Sequence, residues 1–450
     1  MEIADLRDAA SKIFEFALVA VDAREAVRQA VVLDGEMVRI CDLEFELFET
    51  SQIYVVGIGK AAMAMAAGLR ETLGPTIARG VVTSLPSDLE DTLERNRWQI
   101  LHGGHPIPNT SSVMAAHAVM SLSQAANNRE SLVIFLVSGG GSAMLEWPAD
   151  DSITLKDLAE ANRQLTSCGA SIAEVNAVRQ AFSAVKGGKL ATLMPEARQI
   201  TLIVSDTNPD DEANVASGPT LTPSNNAPNP IDVIERYALR SSLPESILSA
   251  ITRSRPRANM TSSVSGSPPH FVLLDNQTAC QAAATKASEL GFMVEIAEDI
   301  CEQHVKKGCQ LMLSRLEAIY NRSEPDKPTC LISGGEFSCP VEGNGLGGRN
   351  SETALRCAIE IDKHHSGHSR HTVVLSAGTD GIDGKSAAAG AIADQMTISR
   401  GRSLGLAAEE FLKRSDSFRF FNILGDTITT GATGTNVRDL RMMLASSFRV

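Results

Sequence analysis

The sequence predicts an α/β protein with parallel sheets, and two observations carry that prediction. Short apolar runs alternate with turns that bear glycine or aspartate and then with apolar helices, which is the order that parallel α/β folds produce. The composition is 43% hydrophobic and 21% charged, and both values are ordinary for a globular chain with a full core. A length of 450 residues suggests two or three domains.

The elements begin with an amphipathic helix, because apolar residues recur at helical spacing from Leu6 to about Val32. Five strand-and-turn units follow, which are Ile53–Val56 before GIGK, Leu132–Val137 before SGGGS, Ile200–Val204 before SDTNPDD, Cys330–Ile332 before SGGE and Thr372–Leu375 before SAGTDGIDG. Ligands of open α/β sheets bind beyond the carboxyl ends of the strands. We therefore expect the polar residues of these turns to line one or two crevices.

A change of composition divides the chain. Residues from Leu221 to about His270 are rich in Pro, Ser and Asn, although a helical piece begins at Ile231. We predict an N-terminal domain over residues 1–235, an interdomain segment over 236–270 and a C-terminal α/β domain over 271–450.

Charge and hydropathy restrict the classes of partner. The net charge is −13, from 41 basic and 54 acidic side chains, and this argues against a nucleic-acid partner. The apolar stretches are far shorter than the ~20 residues of a membrane span, and the first residues resemble no targeting segment. The eight cysteines lack paired CxxC spacing, which favours reduced thiols. We expect a cytoplasmic protein with no membrane contact.

The turn Gly57-Ile-Gly59-Lys60 admits two interpretations. With Ala62 it fits the dinucleotide fingerprint GxGxxG/A, which would indicate a nicotinamide-dependent reductase. That fingerprint needs an acidic residue at the end of the second strand, and the strand near Gly80 to Thr83 lacks one. Lys60 lies within the turn, where an ammonium would neutralise a phosphate. The sequence contains neither a Walker P-loop nor the GxSxG elbow of a hydrolase.

The other turns are typical of phosphoryl transfer, which needs glycine-rich backbone, cations and a carboxylate for Mg²⁺. Candidates for the backbone cradle are Ser138, Gly139, Gly140, Gly141 and Ser142, together with Gly334 and Gly335. Candidate cations are Lys60, Arg179, Lys186 and Arg349. Candidate carboxylates are Asp206, Asp210, Glu336, Asp380 and Asp383.

Eight motifs in order give the sequence a family likeness. They are GIGKAA, GGHPIPN, VSGGGSAML, NAVRQAFSAVKGGKLA, SDTNPDDEANVASGPT, SGGEFSCPVEGNGLGGRNSETAL, SAGTDGIDGKSAAAGAI and TGATGTNVRDL. Together they resemble the glycerate 2-kinase family, whose C-terminal module, here about 328–440, is called MOFRL. The resemblance implies transfer of the γ-phosphoryl group of ATP, with Mg²⁺, to the 2-hydroxyl of D-glycerate. It also implies a Rossmann-like N-terminal domain that faces a smaller α/β domain across an active-site cleft.

The resemblance and the turns together define an expected site. Lys60 and Arg349 match the family's principal active-site cations, and Asp206 is the third expected catalytic residue. Asp206 and Asp380 are the expected Mg²⁺ ligands, while Arg349 or Arg179 would bind the substrate carboxylate through a guanidinium fork. The remaining expected binding residues are Gly57, Gly59, Ser138, Gly139, Gly140, Gly141, Ser142, Asn176, Lys186, Gly334, Gly335 and Glu336.

Two other function classes stay open. Some relatives carry the label hydroxypyruvate reductase, which would make the chain an NAD(P)H-dependent enzyme. A catalytically silent two-domain binding protein is the third class. The sequence does not reveal the oligomeric state, and a homodimer stays open.

Three departures from the family pattern concern the acceptor. Thr207-Asn208-Pro209-Asp210 stands where the family typically reads V-x-G-D, and proline fixes φ and removes a donor. Asn109 replaces the usual aspartate of HPxPD, and Gln180-Ala181 replaces a basic residue and histidine. These changes could tune which acid is phosphorylated.

Overall fold

The computed structural model describes residues 1–48, 50–224, 226–254, 267–324, 327–364 and 370–447. They form two compact units. The N-terminal unit is Ala23–Leu274, and the C-terminal unit is Met1–Asp22 with Asp275–Val450. None of the helices in the described ranges is long and apolar enough to cross a membrane.

Helix α1 (Ile3–Ala20) belongs to the C-terminal unit although it is first in sequence. Its apolar face, which includes Leu6, Ile13 and Phe14, is buried in one core cluster with Ile332 and Leu375. The helix therefore lies outside the N-terminal domain that sequence order predicts for it.

The N-terminal unit is built on a six-stranded parallel sheet in the order β6-β5-β4-β7-β8-β9. A separate antiparallel sheet comprises β1 (Val31–Asp34), β2 (Met37–Ile40) and β3 (Leu43–Glu46). The parallel strands are β4 (Gln52–Ile58), β5 (Ile77–Thr83), β6 (Trp98–Leu101), β7 (Ser131–Ser138), β8 (Arg198–Val204) and β9 (His270–Leu274). The helices are α2 (Ala23–Ala30), α3 (Ala62–Leu73), α4 (Thr110–Ala126), α5 (Gly141–Met144), α6 (Leu155–Ser167), α7 (Ile172–Phe182), α8 (Pro230–Arg236) and α9 (Glu245–Arg253).

Every residue of the central strand β7 is buried. Such a continuous apolar strand is expected where a parallel sheet is covered on both faces. The predicted interdomain segment 236–270 contains α9 and the first residue of β9, and its residues 255–266 lie outside the described ranges.

The C-terminal unit contains a mixed sheet in the order β10-β11-β15-β12-β13-β14. Its strands are β10 (Met293–Ile296), β11 (Thr329–Gly335), β12 (Arg370–Gly378), β13 (Gly390–Asp394), β14 (Thr427–Ile428) and β15 (Asp439–Ser447). Its later helices are α10 (Asn276–Glu289), α11 (Val305–Arg322), α12 (Arg349–His364), α13 (Thr397–Ser403), α14 (Ala408–Lys413) and α15 (Ser417–Leu424).

The predicted α/β class is confirmed in both units, and the five predicted strands are β4, β7, β8, β11 and β12. The C-terminal sheet is mixed rather than parallel because β15 runs antiparallel to both β11 and β12 and separates them.

Candidate active site

The turns after β4 and β7 are joined by backbone hydrogen bonds. The amide of Lys60 donates to the carbonyl of Gly139 (2.9 Å), and the amide of Ala61 donates to Ser138 Oγ (2.9 Å). Because β4 and β7 are parallel neighbours, their carboxyl ends lie at the same edge of the sheet. The GIGK and SGGGS motifs therefore form one structure, which we call the Lys60 turn.

Gly59 is required by this junction. Its φ is +117°, which side-chain-bearing residues rarely adopt, and a Cβ built on it would lie 2.5 Å from Ser138 Oγ. Gly57 has a different place, inside β4. A Cβ there would lie 3.3 Å from Val82 Cγ2 and 3.4 Å from Ala62 Cβ, so this glycine serves the packing of sheet and helix.

The Lys60 side chain passes beside Gly140. With φ of +81°, Gly140 adopts the left-handed conformation, and a Cβ built on it would lie 3.1 Å from Lys60 Cγ. The same Cβ would be 3.4 Å from Cε1 of His105, which the sequence analysis did not select. His105 could have been selected from the sequence, because it lies in the GGHPIPN motif.

Ser142 and Asn176 are linked through Ser217. The hydroxyls of Ser142 and Ser217 lie 2.7 Å apart, and Ser217 Oγ donates to Asn176 Oδ1 (2.8 Å). The Asn176 amide donates in turn to the carbonyl of Asn214 (3.1 Å). This chain fixes the start of α5 against α7, and the sequence analysis did not select Ser217 or Asn214.

Arg179 is 6% exposed, and its Nε donates to Asn162 Oδ1 (3.0 Å). Among the residues that the structure describes, nothing hydrogen-bonds to its two terminal nitrogens. Burial lowers the pKa of Arg179 to about 10, and the Glu146 carboxylate acts in the opposite direction. The guanidinium is therefore charged at neutral pH, with two donors available for an anion.

Lys186 lies in the protein interior. Its ammonium is 2.5 Å from Glu146 Oε2 and donates to the carbonyl of Leu145 (3.3 Å), while Ser183 Oγ donates to the other Glu146 oxygen (2.8 Å). Burial lowers the pKa of Lys186, and Glu146 opposes that shift. Only 1% of Lys186 is exposed, so the geometry favours an internal ion pair over the phosphate contact expected from sequence.

Asp206 follows β8 and is partly exposed. Beside it, the amide of Ser205 donates to the carbonyl of Leu274 (2.8 Å), and the amide of Thr207 donates to Ser205 Oγ (3.2 Å). In the segment Thr207–Asp210, which differs from the family pattern, Asp210 adopts the left-handed conformation with a φ of +66°.

Asn109, the second departure, is the N-cap of α4. It accepts from the amide of Ser112 (3.0 Å), and Ser112 Oγ accepts from the amide of Asn109 (3.1 Å). An aspartate could form the same cap, but it would lack the hydrogen bond that Asn109 Nδ2 donates to the carbonyl of His102 (3.3 Å). Gln180, in the third departure, donates to the carbonyl of Ser217 (3.1 Å).

The corresponding region of the C-terminal unit is a corner around Arg349, the first residue of α12. Arg349 Nε donates to Asp439 Oδ2 (2.5 Å) and Nη2 to Asp439 Oδ1 (3.1 Å). Nη2 is also 2.8 Å from Glu336 Oε1. Burial acts to lower the pKa of Arg349, but Asp439 and Glu336 outweigh it, so the pKa lies above its ordinary value.

Gly334 and Gly335 end β11 against two residues that the sequence analysis did not select, Asn276 and Arg441. The amide of Gly335, whose φ is +82°, donates to Asn276 Oδ1 (2.8 Å), and a Cβ on Gly334 would collide with that oxygen. The buried Arg441 donates to the carbonyl of Gly335 (3.1 Å). These glycines are therefore fixed by protein contacts on the side of Asn276.

Asp380 lies near the Arg349 corner, whereas Asp383 is a capping group. A Cβ built on Gly378 would be 3.1 Å from Asp380 Oδ1 and 3.5 Å from Asp439 Oδ1. Asp383 accepts from the amides of Asn350 (2.9 Å) and Ser351 (2.9 Å), and burial raises its pKa. Within the described ranges, no group of three His, Cys, Asp or Glu residues is arranged to hold a metal ion.

Comparison with known proteins gives these two regions a family. Residues 9–252 match a domain described as of unknown function, DUF4147, and residues 329–439 match the MOFRL family. The D-glycerate 2-kinase of Thermotoga maritima is 34% identical over 391 residues, which is 86% of this chain and 89% of that protein. The chain belongs to the glycerate kinase family.

Further similarities agree with that membership. A crystal structure of glycerate kinase from Thermotoga maritima superposes on this glycerate kinase family member with a TM-score of 0.78 at 30% identity, and it covers 99% of this chain and 100% of that one. A protein of Agrobacterium vitis that carries hydroxypyruvate reductase as a provisional name is 34% identical over 87% of this chain and 98% of its own length.

Proposed function

We propose that the protein is an ATP-dependent glycerate 2-kinase, which transfers the γ-phosphoryl group to the 2-hydroxyl of D-glycerate. The observation that carries the proposal is the Lys60 turn, where a lysine side chain passes over a left-handed glycine between two joined strand ends. Glycine-rich backbone beside a cation is the arrangement that phosphoryl transfer uses to approach and neutralise phosphate oxygens. The Thermotoga maritima relative is itself named D-glycerate 2-kinase.

We assign the substrate carboxylate to Arg179 rather than to Arg349. A guanidinium binds a carboxylate best through two parallel N–H groups. Asp439 already occupies the Nε and Nη2 edge of Arg349. Arg179 has only Nε engaged, which leaves the edge formed by its two terminal nitrogens for the substrate.

Lys60 and Arg349 then serve the phosphoryl group. Lys60 supplies an ammonium that neutralises charge as the bond to the leaving phosphate breaks. Arg349 supplies a delocalised charge that its carboxylate partners hold in one orientation.

The residue type and partial exposure of Asp206 and Asp380 fit a role in holding Mg²⁺. Both are partly exposed carboxylates that follow strand ends, and Mg²⁺ is commonly held by one or two carboxylates together with substrate phosphates and water. When bound, the ion would offset negative charge on the phosphates. Replacing either residue with asparagine should raise the Mg²⁺ concentration needed for half-maximal activity, and an unchanged Mg²⁺ dependence in both variants would remove this assignment.

A paired assay tests the proposed function. We expect ADP release, measured with a coupled assay, to depend on D-glycerate. We expect ³¹P NMR of the product to show a 2-phosphate rather than a 3-phosphate. NADH oxidation with hydroxypyruvate, run beside it, is expected to stay at background. Turnover of NADH without ADP release would make the chain a reductase, and inactivity in both assays would favour a binding protein.

A further inference from the structure

We propose that Asp439 is a positioning residue, which sets the orientation in which Arg349 meets the transferring phosphoryl group. The inference rests on the role of Arg349 proposed above and adds a residue for which neither the sequence motifs nor the family comparison supplies a function.

The side-chain contacts of Asp439 are directed to the start of α12. Its two oxygens accept from Nε and Nη2 of Arg349, and Oδ1 also accepts from Asn350 Nδ2 (2.8 Å). Ser376 Oγ donates to Asn350 Oδ1 (2.7 Å), which holds that amide in place. A two-point contact fixes the plane of a guanidinium, whereas a single contact would leave it free to rotate.

The carboxylate is ionised where it lies. Asp439 is 1% exposed, and burial alone would raise its pKa. Arg349, Arg441 and Asn350 outweigh burial and hold the pKa of Asp439 below its ordinary value. Arg441 contributes as well, with Nη1 3.9 Å from Asp439 Oδ2, the oxygen that also accepts from Arg349 Nε. Asp439 therefore keeps its charge, and its ion pair with Arg349, at neutral pH.

The contacts with Asp439 and Glu336 leave one terminal nitrogen of Arg349, Nη1, for a ligand. Nε faces Asp439, and Nη2 is shared between Asp439 and Glu336. In the part of the chain that the structure describes, Nη1 has no hydrogen-bond partner. Arg349 is also partly exposed, with 35% of its side chain accessible. The geometry thus presents Nη1 to an incoming phosphate oxygen in a fixed direction.

The strand register places Asp439 next to the glycines that end two neighbouring strands. Asp439 begins β15 and lies opposite Gly335 of β11 and Gly378 of β12. A Cβ built on Gly378 would lie 3.5 Å from Asp439 Oδ1, which is an ordinary van der Waals distance. From this position the carboxylate reaches Arg349 and Asn350 at the start of α12.

The test is a double-mutant cycle between Asp439→Asn and Arg349→Ala, with kcat and KM for ATP and D-glycerate. Asp439→Asn keeps the size of the side chain and removes its charge, so Arg349 should lose its fixed plane. We expect kcat to fall on the order of 10²-fold, with little change in KM for D-glycerate, because misplacement of a catalytic group carries such a cost. In the Arg349→Ala background the same substitution should have no further effect on kcat.

Two further variants separate positioning from folding. Asp439→Glu retains the charge on a longer side chain and should recover part of the lost kcat. Asp362→Asn is the matched control, because Asp362 lies on α12, the helix that begins at Arg349, and pairs with a different arginine, Arg402 (2.9 Å). It should leave kcat unchanged. Thermal unfolding of each variant shows whether enough folded protein is present.

The outcomes separate this inference from the proposed function. If Arg349→Ala retains full turnover, the role of Arg349 is wrong and Asp439 has nothing to position. If Arg349→Ala is impaired but Asp439→Asn lowers kcat by the same factor in both backgrounds, Asp439 acts independently and the inference is overturned. A normal kcat in folded Asp439→Asn would also overturn it.

Discussion

The Lys60 turn and the Arg349 corner both present a cation at the ends of sheet strands, but they hold it by different means. Lys60 is placed by backbone, through the hydrogen bond from its amide to the carbonyl of Gly139 and through the left-handed conformation of Gly140. Arg349 is placed by carboxylates, through Asp439 and Glu336. The first arrangement depends on glycine and on main-chain hydrogen bonds. The second orients the charge and depends on ionised partners.

The largest expected effect comes from replacing Lys186, because its ion pair with Glu146 is buried. Lys186 is held by a carboxylate, as Arg349 is, but it lies in the same unit as Lys60. Lys186→Met leaves Glu146 buried without its counter-charge, and we expect unfolding free energy to fall by about 3–5 kcal/mol. Urea denaturation measures this loss, and Lys156→Met on the exposed face of α6 is the control. A variant of normal stability with a greatly reduced kcat would show instead that Lys186 acts in catalysis.

Lys60→Ala tests the backbone-held cation itself. Loss of a positioned charge on the reacting group should reduce kcat by ~10²–10³-fold without loss of stability, because the turn is made by main-chain bonds. Steady-state kinetics and thermal unfolding measure the two quantities. A folded variant with near-normal kcat would make Lys60 a turn residue without a role in the reaction.

Arg179→Lys addresses substrate binding. The substitution keeps a charge but removes the fork of two donors, so the Kd for D-glycerate should rise about 10–100-fold while kcat changes less. Calorimetric titration with D-glycerate measures it, and Arg163→Lys on exposed α6 serves as the control. If Arg349→Lys weakens D-glycerate binding and Arg179→Lys does not, the carboxylate assignment must be exchanged between the two residues.

Asn109→Asp should have the smallest effect. Both residues cap a helix well, so unfolding free energy should change by no more than about 0.5 kcal/mol. A substantially altered KM for D-glycerate in this variant would show that the departure from the family motif acts on the substrate rather than on the cap.

The sequence anticipated the parts of this arrangement that are local. The strands before the Lys60 turn and before Gly334 are apolar runs followed by glycine, and both occur as predicted. Glu146 and Asp439, the partners of Lys186 and Arg349, were not anticipated, because they are distant in sequence. Glu146 lies 40 residues from Lys186, and Asp439 lies 90 residues from Arg349. No periodicity or spacing records such pairs.

The position of β15 in the sheet could not be predicted either, because it also depends on contacts that are distant in sequence. An alternation of strands and helices predicts parallel neighbours, but β15 has no helical crossover before it that would return it in the parallel direction. Its insertion between β11 and β12 depends on hydrogen bonds to both, and these become visible only in three dimensions.

The position of β15 also has a consequence for synthesis on the ribosome. The N-terminal unit is one continuous stretch and can fold as soon as Leu274 has emerged. The other unit joins α1, made first, to a central strand made after almost everything else. Until then β11 and β12 have exposed edges that could pair wrongly. From that point until β15 has emerged, a nascent chain would therefore carry one finished unit and one unfinished unit.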